Sequence, residues 1–160
     1  MANIAAAYGP NNQTVTITLA SLAAGAARQS TVIAVSGLSP IPLDILMTFK
    51  LKSGATNTGF YCTVYAFGTT DGGTTYTDNA GASDAAITLP TSPNSRVVGI
   101  INMPAASTSY VAGPFSFAAA FGGSMPASLG SIVQNNTGGT LDSTAGNFLV
   151  TYQAVYETVV

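Results

Sequence analysis

The chain has 160 residues, of which 6% are charged and none is histidine, with a formal net charge of −2. An ordinary soluble domain is about 25% charged, so a surface covered by partners, or an extracellular one, is expected here. The four basic residues, Arg28, Lys50, Lys52 and Arg96, form no stripe that neutralises a phosphate backbone, which argues against direct nucleic-acid binding.

Residues 1–11 are mostly small and show no periodicity, which predicts an N-terminal arm that orders on a neighbour. Ala2, Asn3, Ile4 and Tyr8 are its candidate partner contacts. The segment has neither a basic start nor a long apolar stretch, so it does not read as a secretory signal, and no apolar run is long enough to predict a membrane span. From residue 12 to residue 160 a single β-sandwich domain is expected. Thr14, Thr16 and Thr18 alternate with Val15, Ile17 and Leu19, the pattern of a half-buried strand. Residues 20–27 read as a loop or a helical turn, and residues 30–35 as a second apolar run that stops at Ser36 and Gly37.

Pro40 and Pro42 forbid a central strand and mark a corner. Ile45, Met47, Phe49 and Leu51 then alternate with Leu46, Thr48, Lys50 and Lys52, placing both lysines on a face turned to solvent or to an acidic partner. Residues 60–67 carry apolar bulk on both faces, as in a strand covered on both sides. The loop 68–84 that follows is rich in Gly, Thr and Asp and holds Asp71, Asp78 and Asp84. Further strands are predicted over 86–89, 97–102, 109–111, 115–121, 131–134 and 148–156. Phe115, Phe117 and Phe121 flank an alanine run and read as core or as partner contacts, core being favoured. The last strand turns Phe148, Val150, Tyr152, Ala154 and Tyr156 to one side, as a central core strand does. Many short strands at this spacing predict an all-β, single-domain sandwich, with a jelly roll favoured.

The chemistry available to such a chain is narrow. Without histidine, Ser/His/Asp and Cys/His nucleophilic arrangements are impossible. Cys62 is the only cysteine, which excludes an intrachain disulfide, and its mid-strand position reads as a structural thiol. Asp71 and Asp78 lie on a Gly/Thr loop, a poor frame for paired catalytic carboxylates. The same loop lacks the spacing of a calcium-binding hand and reads as a solvated turn. Gly122, Gly123, Gly138 and Gly139 lack the lysine and strand-to-helix context of a phosphate loop. No catalytic, cofactor or metal site is therefore assigned.

Several stretches resemble small structural proteins of tailed-phage virions: Tyr65 to Tyr76, Ser83 to Leu89, Ala112 to Gly123 and Leu141 to Asn147. Within that group the chain is most similar to the capsid cement, or decoration, proteins. The resemblance implies a non-enzymatic protein, made in the host cytoplasm, that sits as a homotrimer on the outer surface of the capsid. It would bind the major capsid protein and stabilise the head, with no membrane, nucleic acid or cofactor. The near absence of charge departs from strongly acidic decoration proteins. A tail or head-fibre base protein, and a secreted carbohydrate-binding module, stand as the alternatives.

Overall fold

The computed structural model describes residues 3–159. In chain order the strands are β1 (Ile4–Tyr8), β2 (Gln13–Thr14), β3 (Ala27–Gln29), β4 (Ile33–Ala34), β5 (Asp44–Lys52), β6 (Tyr61–Thr69), β7 (Ala85–Ile87), β8 (Arg96–Asn102), β9 (Ser109–Ser116), β10 (Ser128–Asn135) and β11 (Leu149–Val159). They form two packed sheets, so the expected all-β sandwich is the observed fold. One sheet runs β1-β11-β5-β9, with β2 also on β11; the other runs β7-β3-β10-β6-β8, with β4 also on β10. The antiparallel pairs are nested. β1 and β2 pair β11, β3 pairs β10, β5 pairs β9 and β6 pairs β8, so the first half of the chain zips onto the second in reverse order.

Period-two alternation sets the inner faces. Ile45, Met47, Phe49 and Leu51 of β5 are fully buried. They face Cys62, Val64 and Ala66 of β6 and Leu129 and Val133 of β10 in one apolar core. Val150 and Ala154 of β11 complete it, with Phe148, Tyr152 and Tyr156 packed against it from the predicted side. Each such large side chain contributes about 1.5–3 kcal/mol by leaving water. Because β11 lies between β1 and β5, it is the central strand that its pattern predicts.

The predicted strand over 14–19 has the right face but not a single ladder. Val15 and Leu19 are buried and the three threonines are exposed, yet only Gln13 and Thr14 pair as strand. The Val15 amide donates to the Val150 carbonyl in the first sheet; one residue later Thr16 exchanges hydrogen bonds with Thr31 beside the second. The segment thus crosses from one sheet to the other while keeping its apolar side inward.

β6 is covered on both faces, and its outer cover is the Gly/Thr/Asp loop. Phe67, Ile132 and Ala27 form a second buried cluster with Tyr76 and Ala80 from that loop. The Tyr76 ring meets Phe67 edge-on at 5.8 Å. Buried Gln29 clamps the loop, its amide nitrogen donating to the carbonyls of Gly81 at 3.0 Å and Ser83 at 2.7 Å. The expectation of a solvated turn is corrected: Tyr76 and Ala80 give the loop a burying side, and three aspartates fasten it.

Two further expectations change. The strand predicted over 115–121 ends at Ser116, and Ala118–Phe121 is a 3-10 turn whose first amide donates to Asp44 Oδ1 at 2.8 Å. Phe117, read as core or as partner contact with core favoured, is completely buried in the core. The predicted arm is also different, because Ile4–Tyr8 is an ordered edge strand paired antiparallel with Val155–Val159 of β11. With β1 and β2 on one sheet, no domain boundary falls at residue 11. Ala2 lies outside the described residues.

Truncation after Gly146 removes β11, the partner of three strands, and is expected to abolish the cooperative transition in thermal melting; a folded truncate would contradict the nested pairing. Tyr76→Ala is expected to lower the unfolding free energy by about 3 kcal/mol, read from urea denaturation, whereas a merely solvated loop would show no loss.

Candidate interaction surfaces

The aspartates are spent on structure. Asp71 Oδ1 accepts hydrogen bonds from the Thr69 hydroxyl and from the amides of Thr74 and Thr75, and these donors hold its carboxyl well below the usual range. Asp78 accepts from Asn94 and Ser95; burial opposes its charge, but the donors prevail and its pKa is lowered. Burial likewise opposes the charge of Asp84, and Arg28 together with Thr18 lowers its pKa. Arg28 Nε sits 2.5 Å from Asp84 Oδ1. Asp142 is held at about 2 by the Asn147 amide, the Thr144 backbone and Lys52. Lys52 therefore pairs within the chain, 3.2 Å from Asp142, while Lys50 lies on the outer face of β5.

No group of three or more Cys, Asp or Glu able to hold a metal occurs among the described residues. The surface grooves described carry at most one charged side chain each, Arg96 or Asp71. Cys62 is buried, and burial pushes its thiol up to about 12, as its mid-strand position predicts.

Two apolar patches stand out, on different sheets and at opposite ends of the sandwich. The first is built by β1 and the end of β11. Ile4 and Tyr8 share the outer face with their partners Val159 and Val155, and Ile4, Tyr8 and Val159 are 71%, 63% and 71% exposed. The predicted contacts Ile4 and Tyr8 therefore come together here, and Asn3 is exposed beside them. Phe115 and Phe121 do not join this patch. Phe115 packs on Phe49 at 6.0 Å and against Gly99, where a Cβ would approach its ring to 2.4 Å. Phe121 packs over Gly68.

The second patch lies on the outer face of β6 and β8, where the sequence reading placed no contact. Tyr61 begins β6, Ile100 stands opposite Thr63 and Val97 opposite Tyr65. Phe60, immediately before β6, is 52% exposed and has a φ of 67°. A left-handed backbone costs a non-glycine residue about 1–2 kcal/mol, yet hydrogen bonds hold it there: the Phe60 amide donates to Asn57 Oδ1 at 3.2 Å, and its carbonyl accepts from Met103 at 2.7 Å. The surroundings supply amides and hydroxyls rather than charge, among them Asn102, Gln134 and Asn136. Nothing in the sequence reveals a positive φ at a phenylalanine; the exposed aromatic pair at the start of an otherwise buried strand is the only trace.

Because Asp78, Asp84 and Asp142 have folded pKa values below those of the unfolded chain, the stability they contribute is fully present above the unfolded value of about 3.9. It is lost as the pH falls through the folded values. The urea midpoint is expected to be flat above about pH 5 and to fall steeply between about pH 4 and pH 2, with Asp84→Asn losing part of that acid dependence. An unchanged slope in the variant would show that the Arg28 pairing carries no such linkage.

No family model, no curated protein and no solved structure matches the chain.

Proposed function

We propose that this chain is a non-enzymatic virion structural protein that binds the major capsid protein lattice on the outer surface of a phage head and stabilises it, a cement role. The observation that carries this reading is the second patch. Phe60, Tyr61, Val97 and Ile100 expose apolar surface with no charge among them, and one of the four is held in a strained backbone that fixes its direction. Large apolar side chains left in water on a scarcely charged protein are tolerable when assembly covers them. A small contact repeated over a shell gains avidity.

The nested strand order supports a jelly-roll reading of the sandwich. Pairing the first half of the chain onto the second in reverse and rolling the result into two sheets is the arrangement of jelly rolls, which serve in viral capsid and lectin domains among others. The commitment of Asp71, Asp78, Asp84 and Asp142 to internal hydrogen bonds favours binding over catalysis. Self-association accompanies the proposed role, through a surface other than the lattice-facing one.

The direct test is the copy number of the chain in purified particles, by quantitative mass spectrometry. About one copy per major capsid subunit is expected of a lattice cement; a few copies per particle would move the protein to a tail or fibre base, and none would favour the secreted carbohydrate-binding alternative. Phe60→Gly separates binding from folding: the left-handed backbone is no longer strained, so the melting temperature is expected to hold or rise. Occupancy on particles stripped and re-decorated with the variant should fall about tenfold or more. Undiminished occupancy would remove Phe60 from the contact.

A further inference from the structure

We propose that β1 is a self-pairing edge, through which two copies of this chain join antiparallel across a two-fold axis at Ala6 and merge their β1-β11-β5-β9 sheets into one.

The pairing geometry determines which backbone groups are free. The Gly9 amide donates to the Ala154 carbonyl at 2.9 Å, and in an antiparallel ladder alternate residues bond toward the same neighbour. Ala7 and Ala5 therefore bond toward β11, whereas Ile4, Ala6 and Tyr8 point their N–H and C=O groups away from it. Among the described residues no other backbone group meets them. These same three residues have their side chains on the exposed outer face. The strand is thus open in two directions at once, along its edge and on its face.

Natural edges are protected by charge, proline, bulges or shortness. The other edges here follow that rule. β9 carries Pro114 and a register shift against β5, β8 begins with Arg96, and β7 has three residues. β1 has five residues and no charge or proline; its ladder extends past the start of β5, since Asp44 is opposite Val155 while Ile4 pairs Val159. Among the described residues, protection is missing on one edge only.

A second copy fits that edge. Antiparallel pairing centred on Ala6 sets Ala6 against Ala6 and Ile4 against Tyr8 twice, and in each pair the free N–H and C=O groups face one another. The two side chains left most exposed on β1 then become cross-strand neighbours, a β-branched and aromatic pair of the kind that stabilises sheets. The small central alanines let the strands approach without obstruction. The nearest charges, Glu157 of each copy, are separated by three strand spacings, about 14 Å, farther than a Debye length of about 8 Å. Such a contact is isologous and closes after two copies, so it links neighbouring trimers of the kind the resemblance implies rather than building one. It uses the opposite end and sheet from the Phe60 patch, so failure of self-pairing leaves the proposed lattice contact standing, and the reverse also holds.

The test is light scattering on the purified full chain, with two variants. The wild type is expected to form dimers at concentrations up to about 0.1 mM. Ala6→Pro removes an N–H that points away from β11 and is expected to keep the wild-type melting temperature while weakening the dimer at least tenfold; Tyr8→Lys, placing charge at the contact, should do the same if the proline variant folds poorly. Ala6→Cys should oxidise to a covalent dimer, because residues in a hydrogen-bonded antiparallel pair lie about 5.5 Å apart between Cα atoms, within disulfide reach. A monomeric wild type, an oligomer indifferent to both Ala6→Pro and Tyr8→Lys, or an Ala6→Cys variant that does not cross-link would each overturn the proposal.

Discussion

Asn135 is the fixed point of one end of the sandwich. It is completely buried at the end of β10, and its side-chain amide donates at 2.8 Å to the carbonyls of both Leu22 and Gly139. Its side-chain oxygen accepts from the Thr137 amide and hydroxyl, so both donors and both lone pairs are used. Its backbone meanwhile exchanges hydrogen bonds with Gly25 and Ala26. One uncharged side chain therefore ties two long loops to the end of a core strand, where a half-satisfied amide would be costly. The order continues outward. The 136–141 loop lies so close to residues 53–60 that a Cβ on Gly59 would sit 1.8 Å from the Asn136 carbonyl oxygen, and one on Gly54 1.9 Å from that of Thr140. This backbone contact fixes the loop that presents Phe60. The Phe60 ring at the surface thus depends on an amide well inside the protein.

Where one periodicity governed a whole element, the sequence was readable. β5 and β11 show it: alternating apolar residues there became buried faces, because each strand keeps one neighbour sheet along its length. The doubled apolar character of β6 announced a cover on both sides, but not what provides it. The cover is a loop whose apolar contribution is only Tyr76 and Ala80, and no period marks two residues. Residues 14–19 kept their alternation while changing sheets, since side-chain direction is local and hydrogen-bond partners are not. The 115–121 prediction failed because Asp44, distant in sequence, caps a turn there. β1 failed as a strand prediction because its pattern is inverted, with Ala5 and Ala7 inward and Ile4 and Tyr8 outward.

That inversion connects fold and proposed function. A strand that buries its small residues and exposes its large ones gains little from its own domain and has most to gain from a neighbour. The same holds for Phe60 and Tyr61, at the threshold of a strand otherwise buried on both faces. Of the charged residues, Glu157 stands opposite Ala6 within the first patch, and no charge lies among the four residues of the second. Arg28 and Lys52 pair with Asp84 and Asp142 inside the chain, and the aspartates of the covering loop are saturated by local donors. Electrostatics in this protein serves chiefly to hold loops, leaving recognition to shape, apolar contact and backbone hydrogen bonds.

The nested pairing has a consequence in time. Ile4 lies against Val159 and Tyr8 against Val155, so the first strand made waits for the last. Contacts of such wide sequence separation require loop closure before they reward it, and chains dominated by them fold slowly. During synthesis at about 5–20 residues per second, β1, β2 and β5 emerge long before β11 exists to receive them. The sheet cannot close until Val159 has left the ribosome. Assembly of this protein is thereby ordered by its topology: a nascent chain has neither a finished edge to offer a second copy nor a fixed loop end to present Phe60, and both appear together with the completed sandwich.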